Sequence, residues 1–459
     1  MKLPAYWRAH GRWIEWVLFA VMLWWCYTMA RDALFLNYLP QPFFYDTDDT
    51  FRDWFSTAIW AHEEGAYDTW LTVYPPLSFL ILKVLGAPSC YEYAPWATVR
   101  DCDWVGLAAL HIIYVVNAVL VSIYFIRIDR KTALPRAFTI TAGMPMLFGL
   151  ERGNIILLCF TFMMLGYGPL LKSGKLRLLF VGLAVNMKVY LIAGVLIHLV
   201  KRRWLWTELA LLSTIGVYLV SYFLFGDGSP AQIVGNLINF ATGTKPNQLL
   251  DFWYPNTYVA LRYVLAESDA PVNNFMGSDT VDALVLAIDI SVHSAQAMIL
   301  AATAAAWFRP ELVPSYRLTL LGLSFAMITT ETSAYTQPML FLFVFMENWK
   351  GWLRPLAIGS VYLLCLPGDY GVGSSGAFMQ YSYLWGHYVT ADRFLAVGMF
   401  TRPLLLMLPS TFLGLHTILL VAKDVRDHGW QSNWRYRFSA DGMAQAVKHW
   451  GAPVAEKQA

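Results

Sequence analysis

Apolar residues fall in helix-length blocks separated by short basic turns and by a few long mixed segments. The blocks lie near 13–33, 105–126, 136–150, 155–171, 204–225, 281–308, 318–330, 337–349, 355–367 and 403–422. They lack the alternation of strands, and several approach the length needed to cross a bilayer. A further stretch, 178–200, is interrupted at Asn186-Met187-Lys188. Bases flank it on both sides: Lys172, Lys175 and Arg177 before, Lys201-Arg202-Arg203 after. Two basic flanks predict two short helices that enter the membrane and return, a shape tolerated where broken backbone lines a cavity. The pattern predicts an all-α polytopic membrane protein with about twelve transmembrane or re-entrant helices.

Charge sets the expected orientation. Most of the 33 Lys and Arg fall on one set of loops when both termini are placed in the cytoplasm. The loops 34–104, 226–280 and 368–402 then share the outer face. The membrane-embedded unit spans 1–422, and 423–459 is a short polar cytoplasmic tail. The first apolar run is aromatic-rich and lacks a small-residue cleavage site, so it reads as a retained helix.

Composition supports this picture. The chain has 459 residues, 57% hydrophobic and 14% charged, against roughly 25% charged in soluble domains. The 20 Trp and 25 Tyr suit interfacial belts. A net charge of +2 leaves no nucleic-acid footprint. Of five Cys, Cys26, Cys159 and Cys365 lie in apolar runs. Cys90 and Cys102 share the first large loop, free or paired as a disulfide if that loop meets an oxidising compartment.

Candidate chemistry concentrates on the outer side. The first loop carries Asp46, Asp48, Asp49 and Asp53. Clustered like charges are costly without a partner, and a carboxylate can take a proton from an attacking hydroxyl. An amphipathic helix over 51–64 would place Asp53 in its first turns, Asp49 on the same side, and Asp49 or Thr50 as its cap. Asp49, Asp53 and Asp48 are thus candidate bases, against a reading as cap and solvated loop. Tyr74-Pro75-Pro76 marks a turn before an apolar stretch too short to span. Glu151-Arg152-Gly153-Asn154 forms a hairpin tip, where Arg152 either grips a phosphate or pairs with Glu151. Lys188 lies at the break in 178–200 with Tyr190 nearby; it either holds a lipid phosphate or snorkels to water. Asn256, Tyr258 and Arg262 in loop 226–280, Tyr335 and Gln337 in a later hairpin, and His387 in the last outer loop complete the polar set.

In this order, the segments resemble an integral-membrane glycosyltransferase of the GT-C type. More narrowly they are similar to glycosyltransferase family 87, which includes polyprenol-phosphate-mannose-dependent mannosyltransferases. The matching pieces are an Asp before an amphipathic helix ending Gly65-Ala66-Tyr67-Asp68, Tyr74-Pro75-Pro76-Leu77, Gly153-Asn154-Ile155, the run Gly182–Lys188 with Lys201-Arg202-Arg203-Trp204, and Asn256-Thr257-Tyr258 before Arg262. The resemblance covers roughly 10–420 and implies transfer of mannose or another hexose from a polyprenyl-phosphate donor to a glycan or glycolipid acceptor. Transfer would invert the anomeric centre, on the periplasmic face of a bacterial inner membrane.

In that scheme Asp49 or Asp53 is the base. Lys188, Arg152, Tyr190 and Arg262 hold the donor phosphate. Tyr74, Glu151, Asn154, Asn256, Tyr258, Tyr335, Gln337 and His387 meet sugar or acceptor. Partners are the lipid-linked donor, the acceptor and membrane lipids, with no nucleic acid. No cofactor is required and no metal site is expected, although three neighbouring Asp have the chemistry to bind a divalent ion. The alternatives are an O-antigen-type glycan polymerase or ligase and a lipid-linked-sugar flippase or transporter. Arginine-rich outer loops would mark the first and inverted repeats the second; the chain shows neither.

Overall fold

A computed structural model of the chain describes residues 5–43, 48–92, 95–243, 277–329 and 333–430. Helices dominate. Five are long and apolar enough to cross a membrane: Trp13–Leu36 within α1 (Ala5–Leu36), α5 (Trp104–Ile128), α11 (Trp204–Phe225), α13 (Ser278–Phe308), and Phe400–His428 within α17 (Val397–His428). Their exposed surface is apolar, as in Val115, Val119, Leu212, Phe223 and Leu300. Shorter apolar helices pack among them: α8 (Ile156–Tyr167), α14 (Ser315–Thr329), α15 (Pro338–Val344) and α16 (Leu353–Leu364).

One expected span is broken, and the stretch expected to break does so. The block 136–150 divides into α6 (Ala133–Thr141) and α7 (Met144–Glu151) at Gly143. A Cβ there would lie 2.9 Å from Cys365 Cβ, so only glycine lets this bend approach α16. The stretch 178–200 breaks where its polar residues stand. α9 (Gly174–Val185) ends at Asn186, Lys188 is extended, and short helical turns continue through α10 (Ile192–Leu196) to Lys201. The Asn186 side-chain amide donates to the Gly182 and Thr214 carbonyls, each at 2.9 Å, which satisfies backbone that the break leaves open.

The first loop is a folded layer. It contains α2 (Arg52–His62), α3 (Pro76–Val84), a 3₁₀ turn at Pro88–Cys90, and α4 (Trp96–Cys102). Trp54, Phe55, Ala58, Ile59 and Ala61 form the buried face of α2, on the amphipathic pattern of the sequence. Pro76 opens α3 at the first position, where its missing N–H costs nothing. Cys90 and Cys102 form a disulfide that joins the 3₁₀ turn to α4.

The loop 368–402 holds a β-hairpin that the hydropathy pattern does not announce. β1 (Gly371–Ser382) pairs antiparallel with β2 (His387–Ala396), with Tyr381 opposite Tyr388. Asp369, bound by Arg402 at 2.9 Å, anchors its base. α12 (Pro230–Gly243) follows α11, and its Asn236 amide donates to the Tyr67 and Thr72 carbonyls of the first loop, each at 3.0 Å.

Buried ion pairs tie the helices together at the other end of α1. Arg136 Nε donates to Glu15 Oε1 at 2.7 Å, and its fork also reaches the Phe345 and Glu347 carbonyls. Arg317 grips both oxygens of Glu347 at 2.6 Å. Glu15 and Glu347 are fully buried, so removing a cation strands a carboxylate. Arg136→Met is therefore expected to cost about 3–5 kcal/mol, read as a lower midpoint of thermal unfolding in detergent. An unchanged midpoint would show that Glu15 does not need this cation.

Candidate active site

The site is built where the start of α2 meets the end of α7. Helix α2 has no side-chain cap. Its N-cap is Phe51, in the left-handed conformation with φ 64°, so Asp49 and Thr50 do not take the capping role expected of them. The open N–H groups find carbonyls instead: Phe51 donates to Glu151 at 2.7 Å and Asp53 to Arg152 at 3.0 Å. The negative end of one helix thus meets the positive end of another. The Phe51 ring packs against His111 and Tyr383, and this burial offsets its backbone strain. Gly153 has φ 66°, and a Cβ there would lie 3.0 Å from Phe51 Cα, Phe51 O and Trp54 Cβ.

This junction places the acidic cluster on Arg152. One arm of the guanidinium binds Asp49 Oδ2, and the other binds Asp53 Oδ1 at 2.6 Å. Asn154 donates to Asp53 Oδ2 at 2.8 Å, while its own carbonyl accepts from the Ile156 N–H at 3.0 Å. Asp49 takes a second cation, Arg52, at 3.0 Å. Asp48 turns away: its carbonyl and carboxylate accept from Arg100 at 2.5 and 3.2 Å. Asp49 and Asp53 thus share one side, as the sequence suggests. Arg152 grips these two acids, where the sequence offers Glu151 or a phosphate.

Exposure separates the two carboxylates. The Asp49 side chain is 5% exposed and held by two arginines; that of Asp53 is 22% exposed. Each Asp53 oxygen accepts one of these bonds, and a carboxylate has about four lone-pair sites. Asp53 therefore retains capacity for a further donor.

Three tyrosines and a lysine form a second group, with Tyr335 within electrostatic range of Asp53. Tyr335 stacks on Phe148 at 5.7 Å, and its hydroxyl lies within electrostatic reach of Asp53, Tyr74 and Arg152. Tyr190 neighbours Tyr335, Tyr74 and Cys159, and its buried hydroxyl has no hydrogen-bond partner among the described residues. Lys188 Nζ donates to the Tyr74 hydroxyl at 3.1 Å and sits 4.2 Å from the centre of that ring. Hydrogen bonds join Asp53 to Arg152 and Asn154, and Lys188 to Tyr74; Tyr335 lies within electrostatic range of Asp53 and Tyr74, and Tyr190 of Tyr335 and Tyr74, although the sequence scatters these residues over almost 300 positions. Gln337, two residues beyond Tyr335, is buried with neither amide atom bonded among the described residues. Glu151 lends its carbonyl to Phe51 and buries its carboxyl group.

His387 stands elsewhere. It is exposed at the start of β2, and its imidazole contacts the Trp385 carbonyl at 2.9 Å. Asn256, Tyr258, Arg262 and Asp46 lie outside the described residues. Sequence reasoning missed Arg52, Trp96, Arg100 and Tyr383. The available signal was a pair of bases, Arg52 and Arg100, in a loop otherwise read for its acids.

The Phe51–Gly153 contact leaves no room for a side chain. Gly153→Ala is expected to cost about 1–3 kcal/mol, seen as a lower unfolding temperature. Gly216→Ala, where nothing lies within 4 Å, should not lower it. Equal midpoints for the two variants would disprove the tight junction.

No family model, no curated protein and no solved structure matches this chain. The chemistry of the carboxylate–arginine site is what points to a function.

Proposed function

We propose that this chain is a membrane glycosyltransferase of GT-C-like design that moves a hexose from a polyprenyl-phosphate donor to a hydroxyl of a glycan or glycolipid. The observation that carries the reading is Asp53, a partly exposed carboxylate oriented by Arg152 and Asn154, with Tyr335 within electrostatic range of both Asp53 and the Tyr74 that binds Lys188. The donor phosphate lies against Lys188, with the Tyr74 and Tyr190 hydroxyls as further donors. Tyr335 and Gln337 meet the sugar. Asp53 accepts the proton of the acceptor hydroxyl. The acceptor oxygen bonds to the anomeric carbon as the bond from that carbon to the phosphate oxygen breaks. The electron pair leaves on the phosphate, where the lysine stabilises it. One displacement inverts the centre, and the scheme needs no cofactor.

Two roles shift from the expectation. Asp49 is the more enclosed carboxylate and acts here by holding Arg152. Arg152 has its fork on two acids, so it orients the base and leaves the phosphate to Lys188. Asn256, Tyr258 and Arg262 of loop 226–280 remain sugar and phosphate contacts suggested by sequence. The Cys90–Cys102 bond supports an oxidising outer compartment for the first loop, hence cytoplasmic termini and a site facing the periplasm or cell exterior.

The test is transfer by purified protein from a panel of polyprenyl-phosphate sugars into a membrane-lipid extract. One donor should be consumed. Asp53→Asn should lower turnover by about 10²–10⁴-fold with folding intact, and Lys188→Ala should weaken donor binding. Consumption of an oligosaccharide-diphosphate carrier in place of these donors would establish a polymerase. Undiminished turnover by folded Asp53→Asn would remove Asp53 as the base.

A further inference from the structure

Arg100 is a buried cation that none of the roles above uses. Its side chain is 2% exposed. One arm donates to the Asp48 carbonyl at 2.5 Å and the Thr50 carbonyl at 3.2 Å, and the other to Asp48 Oδ1 at 3.2 Å. Those groups bracket Asp49 in the chain. The guanidinium lies over two rings, Trp96 at 4.9 Å and Tyr383 of the hairpin tip at 3.7 Å. Arg52 also lies over the Trp96 ring, 5.3 Å from its centre, and Arg52 itself binds Asp49. Arg52, Trp96, Arg100 and Tyr383 thus form a cation–aromatic cluster that clamps the turn delivering Asp49 and Asp53 to Arg152.

The clamp is mounted on a short support. α4 has only seven residues, fewer than form a stable helix alone. Its last residue is Cys102, two positions beyond Arg100 and bonded to Cys90. Asp103 fastens the same segment from the far side. It accepts from the Ala87 N–H at 3.0 Å and the Tyr91 hydroxyl at 2.5 Å, and from the Gly106 N–H at the start of α5. Of these fastenings, the disulfide alone depends on the redox state of the compartment.

We propose that Arg100 is a positioning residue for the Asp49–Arg152–Asp53 site, and that the Cys90–Cys102 disulfide holds it in place, so that the site is complete only after that bond forms. Bond formation removes two protons and two electrons from the two thiols. A disulfide-bonded oxidant of the outer compartment takes them by thiol–disulfide exchange and becomes a dithiol. A chain still in the reducing cytoplasm would carry the acids without their geometry. The activity readout below rests on the glycosyltransferase reading; the labelling readout does not.

The experiment uses the full-length protein in detergent. Its carboxylates are coupled to a small amine with a carbodiimide, and Asp49 and Asp53 are followed by peptide mass spectrometry. Asp49 is enclosed in the clamped state. Arg100→Met should raise its labelling rate about tenfold or more, the scale set by losing charge-assisted hydrogen bonds. Arg100→Lys keeps the charge and stem without the planar fork and should fall between. Reducing the wild-type disulfide with a phosphine should raise Asp49 labelling in the same direction, and the Cys90→Ser, Cys102→Ser double variant should match it. Combining Arg100→Met with reduction should add little, because both act on one clamp.

In the transfer assay, turnover should fall with donor KM within about twofold of wild type, as for loss of transition-state geometry rather than of donor binding. Wild-type labelling in folded Arg100→Met and Arg100→Lys overturns the positioning role. If those variants respond but reduction does not, the disulfide half is wrong. Labelling that responds in a protein that consumes no donor retains the clamp and removes the glycosyltransferase reading.

Discussion

One guanidinium holds the first-loop end of this protein together. Arg152 divides its fork between Asp49 and Asp53, joining the start of α2 to the hairpin after α7. Asp48, Asp49 and Asp53 lie within six positions, and their mutual repulsion would destabilise the turn if they stood alone. Arg52, Arg100 and Arg152 bring an equal number of positive charges from α2, α4 and the hairpin tip. Asp101, also on Arg100 at 3.2 Å, leaves one acid in excess among these ion pairs, and each cation reaches a different oxygen or carbonyl of the turn. Its shape is therefore set by three directional contacts, and moving any one of the three segments disturbs both carboxylates.

The same device appears at the other end of α1 with a different outcome. Glu15 lies over 20 residues before the end of that helix, roughly 30 Å along its axis. There, Arg136 and Arg317 enclose Glu15 and Glu347 in pairs with no exposed oxygen. Such pairs contribute little net stability over an apolar core, yet cost much when one partner is lost. They fix which helices meet. At the first-loop end, Asp53 keeps partial exposure and spare lone pairs. Burial of the carboxylate, more than the count of ion pairs, separates a structural pair from one able to meet a substrate.

Much of the helical layout was legible because it rests on local pattern. The long apolar runs, the amphipathic face of α2 and the break at Asn186–Lys188 all follow from residues close in sequence. The hairpin of 371–396 was not legible: its strands occupy a mixed segment with glycines at the start, and strand pairing is non-local. The N-cap of α2 shows the same limit. Asp49 and Thr50 have the chemistry of caps, but the carbonyls of Glu151 and Arg152, about 100 positions away, satisfy the helix start instead. Asp49 was thereby freed to bind arginine. For the site, residue types pointed to Asp53 and Lys188, whereas Arg100 escaped notice because its role exists only once α4 lies beside residues 48–50.

The break that carries Lys188 links the two halves of the site. A continuous helix would satisfy its own backbone and leave a lysine there to find water along the helix surface. The extended residue at Lys188 instead directs the amine to the Tyr74 hydroxyl, at the turn before α3. Tyr74 is placed by the first loop through Tyr67, whose hydroxyl donates to the Tyr74 carbonyl at 2.7 Å. Asn236 of α12 binds the Tyr67 carbonyl in turn. The cation at the break and the carboxylate at the start of α2 are therefore held by one folded loop, not by independent helices. Their separation is then fixed by one folded layer, and in the proposed transfer such preorganisation would set the cation and the base against one bound donor and acceptor without a reorganisation cost.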